Sequence, residues 1–166
     1  LVYCSISAFG QDGPLSDQPG YDAIAQAYSG VMSMSGEPGG TPPLMGLSPG
    51  DVLAGAQGLA GVVSALFHRE RTGQGQFVDV SLLDCYLACH ELNVEMWSAS
   101  GGTLQPTRSG SLHPFVPAYG VFRAGDGDVM IGVGNDRQWA QLCRAMGHPE
   151  WAADERYATV VARVAR

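Results

Sequence analysis

Residues Gly50 to Asp84 read GDVLAGAQGLAGVVSALFHRERTGQGQFVDVSLLD. Asp51 opens a run of small apolar residues that closes on Arg69 and Arg71. A glycine turn, Thr72 to Gly75, leads into alternating polarity over Gln76 to Val80, and a second apolar run begins at Ser81. The pattern predicts a helix over Val52 to Arg71, a strand over Gln76 to Val80 and a helix from Ser81 to about Ser98. Ser81 and Asp84 have the spacing of an N-terminal cap. The first helix contains Ala54, Gly55, Ala56, Gly58, Ala60 and Gly61, and its glycines lower its intrinsic propensity. Close approach of its backbone to another element is the expected compensation. A transmembrane dimer motif is the rival reading, but the run is short and ends in charges. Asp51 sits where unpaired N–H groups and the helix dipole favour negative charge. A carboxylate there can be a nucleophile or an ordinary helix cap, and on spacing alone the cap is the plainer reading.

Working outward, Leu1 to Ala8 reads as a buried strand and Gly10 to Pro19 as a loop. Tyr21 to Met34 reads as a helix with Ile24, Tyr28, Val31 and Met32 on one face. Glu37 to Gly50 is a Gly/Pro loop of a length that is often functional. Ala99 to Leu112 is polar and glycine-rich and reads as an interdomain linker. Tyr119 to Phe122 and Val129 to Val133 form an expected hairpin across Arg123 to Asp128. Expected helices at Gln138 to Met146, Glu150 to Arg156 and from Ala158 onward complete the chain.

Composition narrows the function. Of 166 residues 45% are apolar, which fits a folded protein. All nine basic residues are arginine, and the net charge of −7 argues against nucleic acid and anionic membrane surfaces as partners. The charge also argues against a complete phosphate-binding groove within this stretch. Cys4, Cys85, Cys89 and Cys143 show no metal-type pairing and read as buried free thiols, which suits a reducing cytoplasm. His68, His90 and His148 read as surface or core partners, with no i, i+4 histidine pair to hold zinc. No apolar run reaches the roughly 20 residues of a bilayer span. No signal peptide is visible before the strand-like opening at Leu1, and the chain closes inside an expected helix at ATVVARVAR. An internal fragment of a longer chain is therefore expected.

Several blocks resemble the class III CoA-transferases, the CaiB/BaiF family. They are SISAFGQDGP (Ser5 to Pro14), PGYDAIAQAYSGVMSMSGEP (Pro19 to Pro38), the Gly50–Asp51 pair, RERTGQGQFVDVSLLD (Arg69 to Asp84) and HPFVPAYGVF (His113 to Phe122). Gly125 to Thr159 fits as well. The resemblance covers nearly the whole chain. It implies an α/β fold: a partial Rossmann-like large domain followed by part of a smaller α+β domain. Residues 1–98 would be the later half of the CoA-binding domain, 99–112 the linker and 113–166 the start of the small domain.

The resemblance also implies a chemistry. Asp51 would be the nucleophile that carries CoA as an aspartyl thioester between an acyl-CoA donor and a carboxylic acid. Coenzyme A would be substrate, with no permanently bound cofactor and no metal. The implied assembly is an interlocked homodimer. Pro19, Gly20, Tyr21 and Asp22 fall where the family contacts CoA or the acyl group. Formyl-CoA transferases carry a basic residue at the position of Pro19, so its absence here points to a different substrate subgroup. Tyr21 stands where the racemase branch has histidine, and tyrosine, with an ordinary pKa of about 10, serves poorly in two-base racemisation. Tyr21 is thus expected to hydrogen-bond the acyl group or Asp51, against the alternative of a core aromatic at a helix start. Asp22 has the alternative of a helix-start acid without chemistry.

Gln11-Asp12-Gly13-Pro14 matches a family signature that shapes the active-site wall. His113-Pro114 matches a structural hinge, though Ser111 stands where family chains usually carry Asn. Gly101-Gly102 weakly resembles the glycine loop over the formyl-CoA transferase active site, with a plain flexible linker as the simpler reading. Two other functions stay open: an isomerase acting on 2-methylacyl-CoA, and a truncated fragment without activity of its own.

Overall fold

Two short parallel strands organise the first part of the chain. β1 (Tyr3–Ser7) lies beside β2 (Phe77–Ser81), in a register from Tyr3 opposite Phe77 to Ser7 opposite Ser81. Parallel neighbours require a long crossover. Here it contains α1 (Asp22–Ser29), α2 (Val31–Met34) and α3 (Pro49–Thr72). α4 (Leu82–Ala88) and α5 (Glu91–Ala99) follow β2. This computed structural model describes residues 1–164. Its contacts divide the chain into two units, residues 1–35 with 42–106 and residues 36–41 with the chain from Thr107 onward.

The architecture of the first unit is α/β. Its core joins Ala25 of α1, Ala54 of α3, Val80 of β2, and Leu82, Cys85 and Tyr86 of α4. α3 packs on the strands through its small residues. A Cβ on Gly58 would stand 3.1 Å from Ile6 Cδ1, and one on Gly61 would stand 2.7 Å from Val78 Cγ1. The glycines that weaken the helix locally therefore let its backbone lie against the sheet. Gly55, with nothing within 4 Å of a Cβ, has no such duty.

Three expectations about this unit change. The helix expected over Tyr21 to Met34 breaks at Gly30, whose φ of 84° belongs to the left-handed region that glycine adopts without steric cost. The helix expected from Ser81 to Ser98 breaks at Cys89–His90. There both N–H groups bond three residues back, to the Tyr86 and Leu87 carbonyls, while the His90 ring Nε2–H donates to Ser29 O at 3.0 Å. The third concerns membrane length. α3 has 24 residues, and an 18-residue window of mean hydropathy 1.4 makes it long and apolar enough to cross a bilayer by length and composition. Gly58 and Gly61 nevertheless lie against Ile6 of β1 and Val78 of β2, which packs one face of the helix on the sheet.

The second unit is built on an antiparallel hairpin, β3 (Tyr119–Arg123) with β4 (Asp128–Gly132). Leu112 extends it by a bridge to Gly120. Gly36–Thr41 joins this unit, with Gly110 N–H donating to Gly36 O at 3.0 Å and Arg108 Nη1 to Gly40 O at 2.6 Å. α6 (Asp136–Ala145) follows β4, then a 3₁₀ turn at Pro149–Ala152 and α7 (Val160–Val164). The helix expected over Glu150 to Arg156 is thus shorter. Beyond the turn, Tyr157 N–H donates to Asp154 O. The expected continuation of the last helix through Ala165 and Arg166 lies outside the described residues.

Candidate active site

α3 begins three residues earlier than its apolar pattern implies. Pro49, with no N–H to lose and a fixed φ, takes the first helical position. Ser48 is then the cap residue, and its side chain makes no cap hydrogen bond. Asp51 sits in the first turn, exposed, and is not the cap. The Val52 N–H donates to Ser48 O at 3.3 Å within the helix start.

The N–H of Gly50, immediately before Asp51, is satisfied from another helix. It donates to Asp22 Oδ1 at 2.8 Å. Asp22 is the first residue of α1 and only 5% exposed. Its Oδ1 also accepts the Tyr86 hydroxyl of α4 at 2.7 Å, and its Oδ2 accepts Gln26 Nε2 at 2.6 Å. Gln26, fully buried, reaches the loop ahead of α3 as well. Its Nε2 donates to Leu47 O at 3.3 Å, and its Oε1 accepts Met45 N–H at 3.0 Å. Burial first, and the Asp22 bond second, push the Tyr86 hydroxyl up to about 12 from an ordinary 10.

This packing explains the glycine of the Gly50–Asp51 pair. A Cβ at residue 50 would stand 2.6 Å from Tyr86 Cε2 and 2.7 Å from Asp22 Oδ1. Only glycine lets the backbone approach the buried carboxylate so closely. One hydrogen bond therefore ties the N-terminus of α1 to that of α3. The residue preceding Asp22 and the residue following Gly50, Tyr21 and Asp51, both face solvent around that tie.

The four residues expected to contact CoA separate into two kinds. Tyr21 is 85% exposed in this chain, and Pro19 is exposed too. Gly20 packs tightly, since a Cβ there would stand 2.7 Å from Ala8 Cβ and 3.2 Å from Phe9 Cε2. Asp22 turns inward, with both oxygens accepting donors from the protein. Among the described residues Tyr21 makes no hydrogen bond to Asp51, and Asp51 makes no ion pair. Gln26 and Tyr86 were not singled out from sequence. Gln26 lies four residues after Asp22, a spacing that brings helix side chains together, whereas nothing local marks Tyr86.

The remaining motifs are held by backbone contacts. Asp79 of β2, also not anticipated, accepts Gln11 N–H at 2.7 Å and fixes the Gln11 to Pro14 turn beside the sheet. His113 Nδ1 accepts the N–H groups of Phe115 and Val116, each at 3.1 Å, which folds His113-Pro114 into a tight turn. Gly101-Gly102 closes α5: Gly102 N–H donates to Trp97 O at 2.8 Å, and both glycines have positive φ. All four cysteines are free, but Cys89 is exposed and Cys4 half-buried, against the expectation of buried thiols throughout. Burial pushes the Cys85 and Cys143 thiols up. Among the described residues no group of three or more His, Cys, Asp or Glu is placed to hold a metal ion.

Comparison with known proteins places this arrangement. The model of CoA-transferase family III matches residues 1–166. The chain belongs to that family. It is 42% identical over 165 residues to the succinate–glutarate CoA-transferase of Agrobacterium fabrum, covering 99% of this chain and 41% of the relative. It is 43% identical over 158 residues to the acetyl-CoA:oxalate CoA-transferase of Acetobacter aceti, covering 95% and 40%. Among solved structures it resembles a CaiB/BaiF family protein of Brucella suis, with TM-score 0.77, 39% identity, and coverage of 99% of this chain and 43% of that one. The chain thus spans about two fifths of the length of the family III relatives it matches.

Proposed function

We propose that this chain works within a longer enzyme that moves CoA from an acyl-CoA to a carboxylic acid, with Asp51 as the covalent carrier. The Asp51 carboxylate attacks the thioester carbonyl of the donor. The C–S bond breaks, CoA leaves as thiolate, and a mixed aspartyl–acyl anhydride remains. The thiolate attacks the aspartyl carbonyl and expels the donor's carboxylate, leaving an aspartyl-CoA thioester. The acceptor carboxylate repeats the sequence in reverse, ending as acyl-CoA and restoring the free aspartate. Each step needs an accessible carboxylate in fixed position.

Asp51 meets both needs: it is exposed and has no ion pair among the described residues, in the first turn of a helix whose start is locked by the buried Asp22–Gly50 bond. Tyr21, exposed beside the other end of that bond, offers a hydroxyl for orienting the acyl group and no side chain suited to two-base racemisation. The substrates proposed are small dicarboxylates, because the relatives named above act, by their names, on succinate, glutarate and oxalate.

The test is hydroxylamine trapping on the full-length enzyme, with succinyl-CoA and acetyl-CoA as donors and glutarate and oxalate as acceptors. Mass spectrometry should find a hydroxamate on the Asp51 peptide. Asp51→Ala should lose the adduct and, as for removal of other nucleophiles, on the order of 10³-fold or more of kcat. Turnover with no adduct on Asp51, or an active Asp51→Ala enzyme, would refute the proposal.

A further inference from the structure

We infer that Tyr86 and Gln26 position Asp51 for attack, acting through Asp22 as a remote cap on α3. This rests on the reading of Asp51 as nucleophile. The first N–H groups of a helix have no partner inside it, and a side chain just ahead of the helix ordinarily accepts one of them. Ser48 stands in that place and does not serve. The acceptor instead is Asp22, 28 residues earlier and on a different helix.

The consequence is mechanical. A local cap moves with its own helix and fixes nothing about where that helix points. A cap on another element fixes the first turn of α3 relative to α1. Asp22 is itself held from two further directions, by the Tyr86 hydroxyl of α4 at 2.7 Å and by Gln26 at 2.6 Å. Gln26 also grips both the Met45 N–H and the Leu47 carbonyl, so the loop leading into α3 is anchored to the same network. Asp22, Gln26 and Tyr86 are all buried, at 5%, 1% and 1% exposure. They have no access to substrate and act only through the peptide next to Asp51. A nucleophile displaced by about 1 Å can lose about a hundredfold in rate, so two side chains that fix the Asp22 carboxylate bonded to the adjacent N–H have a direct route to kcat.

The experiment uses the full-length enzyme with Tyr86→Phe, which deletes one hydroxyl, and Asp22→Asn, which weakens the cap itself. For Tyr86→Phe we expect kcat to fall about tenfold with KM for acyl-CoA unchanged within about twofold. Asp22→Asn should lower kcat about a hundredfold. The rate of hydroxylamine trapping at Asp51, measured per folded molecule, should fall in parallel. A network that serves stability alone would lower Tm and leave the trapping rate and kcat per folded molecule intact, and that result overturns the inference. Should Asp22→Asn fail to fold, Tyr86→Phe decides alone. Absence of any Asp51 adduct in the unsubstituted enzyme refutes the nucleophile and this inference together. An adduct that forms equally fast in Tyr86→Phe refutes only the positioning role.

Discussion

Helices α3 and α6 both begin with an aspartate in the first turn, and they handle it in opposite ways. α6 is self-sufficient. Its cap Asn135 accepts Gln138 N–H at 2.9 Å, and the Gln138 side chain returns to accept Gly134 N–H at 2.8 Å, close to a reciprocal capping box. Its Asp136 is bound to Arg163 at 2.9 Å, an arginine whose side chain is 4% exposed. α3 delegates its cap to a buried carboxylate on α1 and leaves Asp51 without an ion pair among the described residues. The first arrangement caps its helix from within four residues and commits its acid to an ion pair with Arg163. The second fixes the backbone from outside and leaves the acid free to react. Where a helix start gives up its local cap for a buried tertiary one, the neighbouring side chain is a candidate for chemistry.

The comparison breaks most visibly at Gly50. Replacing it with alanine forces a methyl group to within 2.6 Å of Tyr86 Cε2 and 2.7 Å of Asp22 Oδ1. Overpacking of this kind typically costs 1–3 kcal/mol, and the displaced carboxylate bond adds to it, so about 3 kcal/mol or more is expected for Gly50→Ala. Gly55→Ala in the same helix is the control. Nothing lies within 4 Å of its Cβ, and alanine's better helix propensity should stabilise by up to about 1 kcal/mol. Denaturant titration of both variants of the full-length enzyme measures the pair. Equal effects of the same sign would show that Gly50 is not held by close approach.

The sequence made part of this legible and left part hidden, for physical reasons. The small-residue run from Ala54 to Gly61 pointed to a helix lying close on another element, because its three glycines cost helix propensity that close packing can offset. The strand at Phe77–Ser81 and the Ser81 cap, which accepts Asp84 N–H at 2.9 Å, follow from alternation and spacing. Asp51 was placed at the helix start but misread as a possible cap, although Pro49 marks the first helical position two residues earlier. The break at Cys89–His90 has no glycine or proline to mark it; it depends on a side chain reaching Ser29 O, 61 residues away. Asp22 and Gln26 share a helix face and their pairing was readable. Tyr86, 64 residues from Asp22, was not, because only the tertiary fold brings them together.

A smaller effect sharpens the same contrast through pH. Burial and the Asp22 bond hold the Tyr86 hydroxyl up to about 12 against its ordinary 10, so folding favours the protonated ring. That stabilisation is complete below the unfolded value, near pH 10, and is lost as pH rises through the folded value, near 12. Over that window the unsubstituted enzyme should lose roughly 2–3 kcal/mol that Tyr86→Phe cannot lose. Urea unfolding at several alkaline pH values, read as the difference between the two proteins, gives the answer. Parallel curves would mean that neither burial nor the Asp22 bond raises the Tyr86 hydroxyl in the folded enzyme.

The smallest expected effect falls at the other helix. Asn135→Ala removes one local cap and leaves the Gln138 N–H without its acceptor. Such caps contribute about 1 kcal/mol, and the exposed position lets water replace part of the lost bond. The expected outcome is a slightly lower Tm, with kcat per folded molecule and the rate of Asp51 trapping unchanged. Set beside Tyr86→Phe, it separates two consequences of losing a cap interaction: both variants weaken a helix start, but only the remote one should slow the chemistry. If Asn135→Ala slowed trapping as much as Tyr86→Phe does, the loss in both would reflect general loosening of the fold, and the distinction between a local and a tertiary cap would have no functional content.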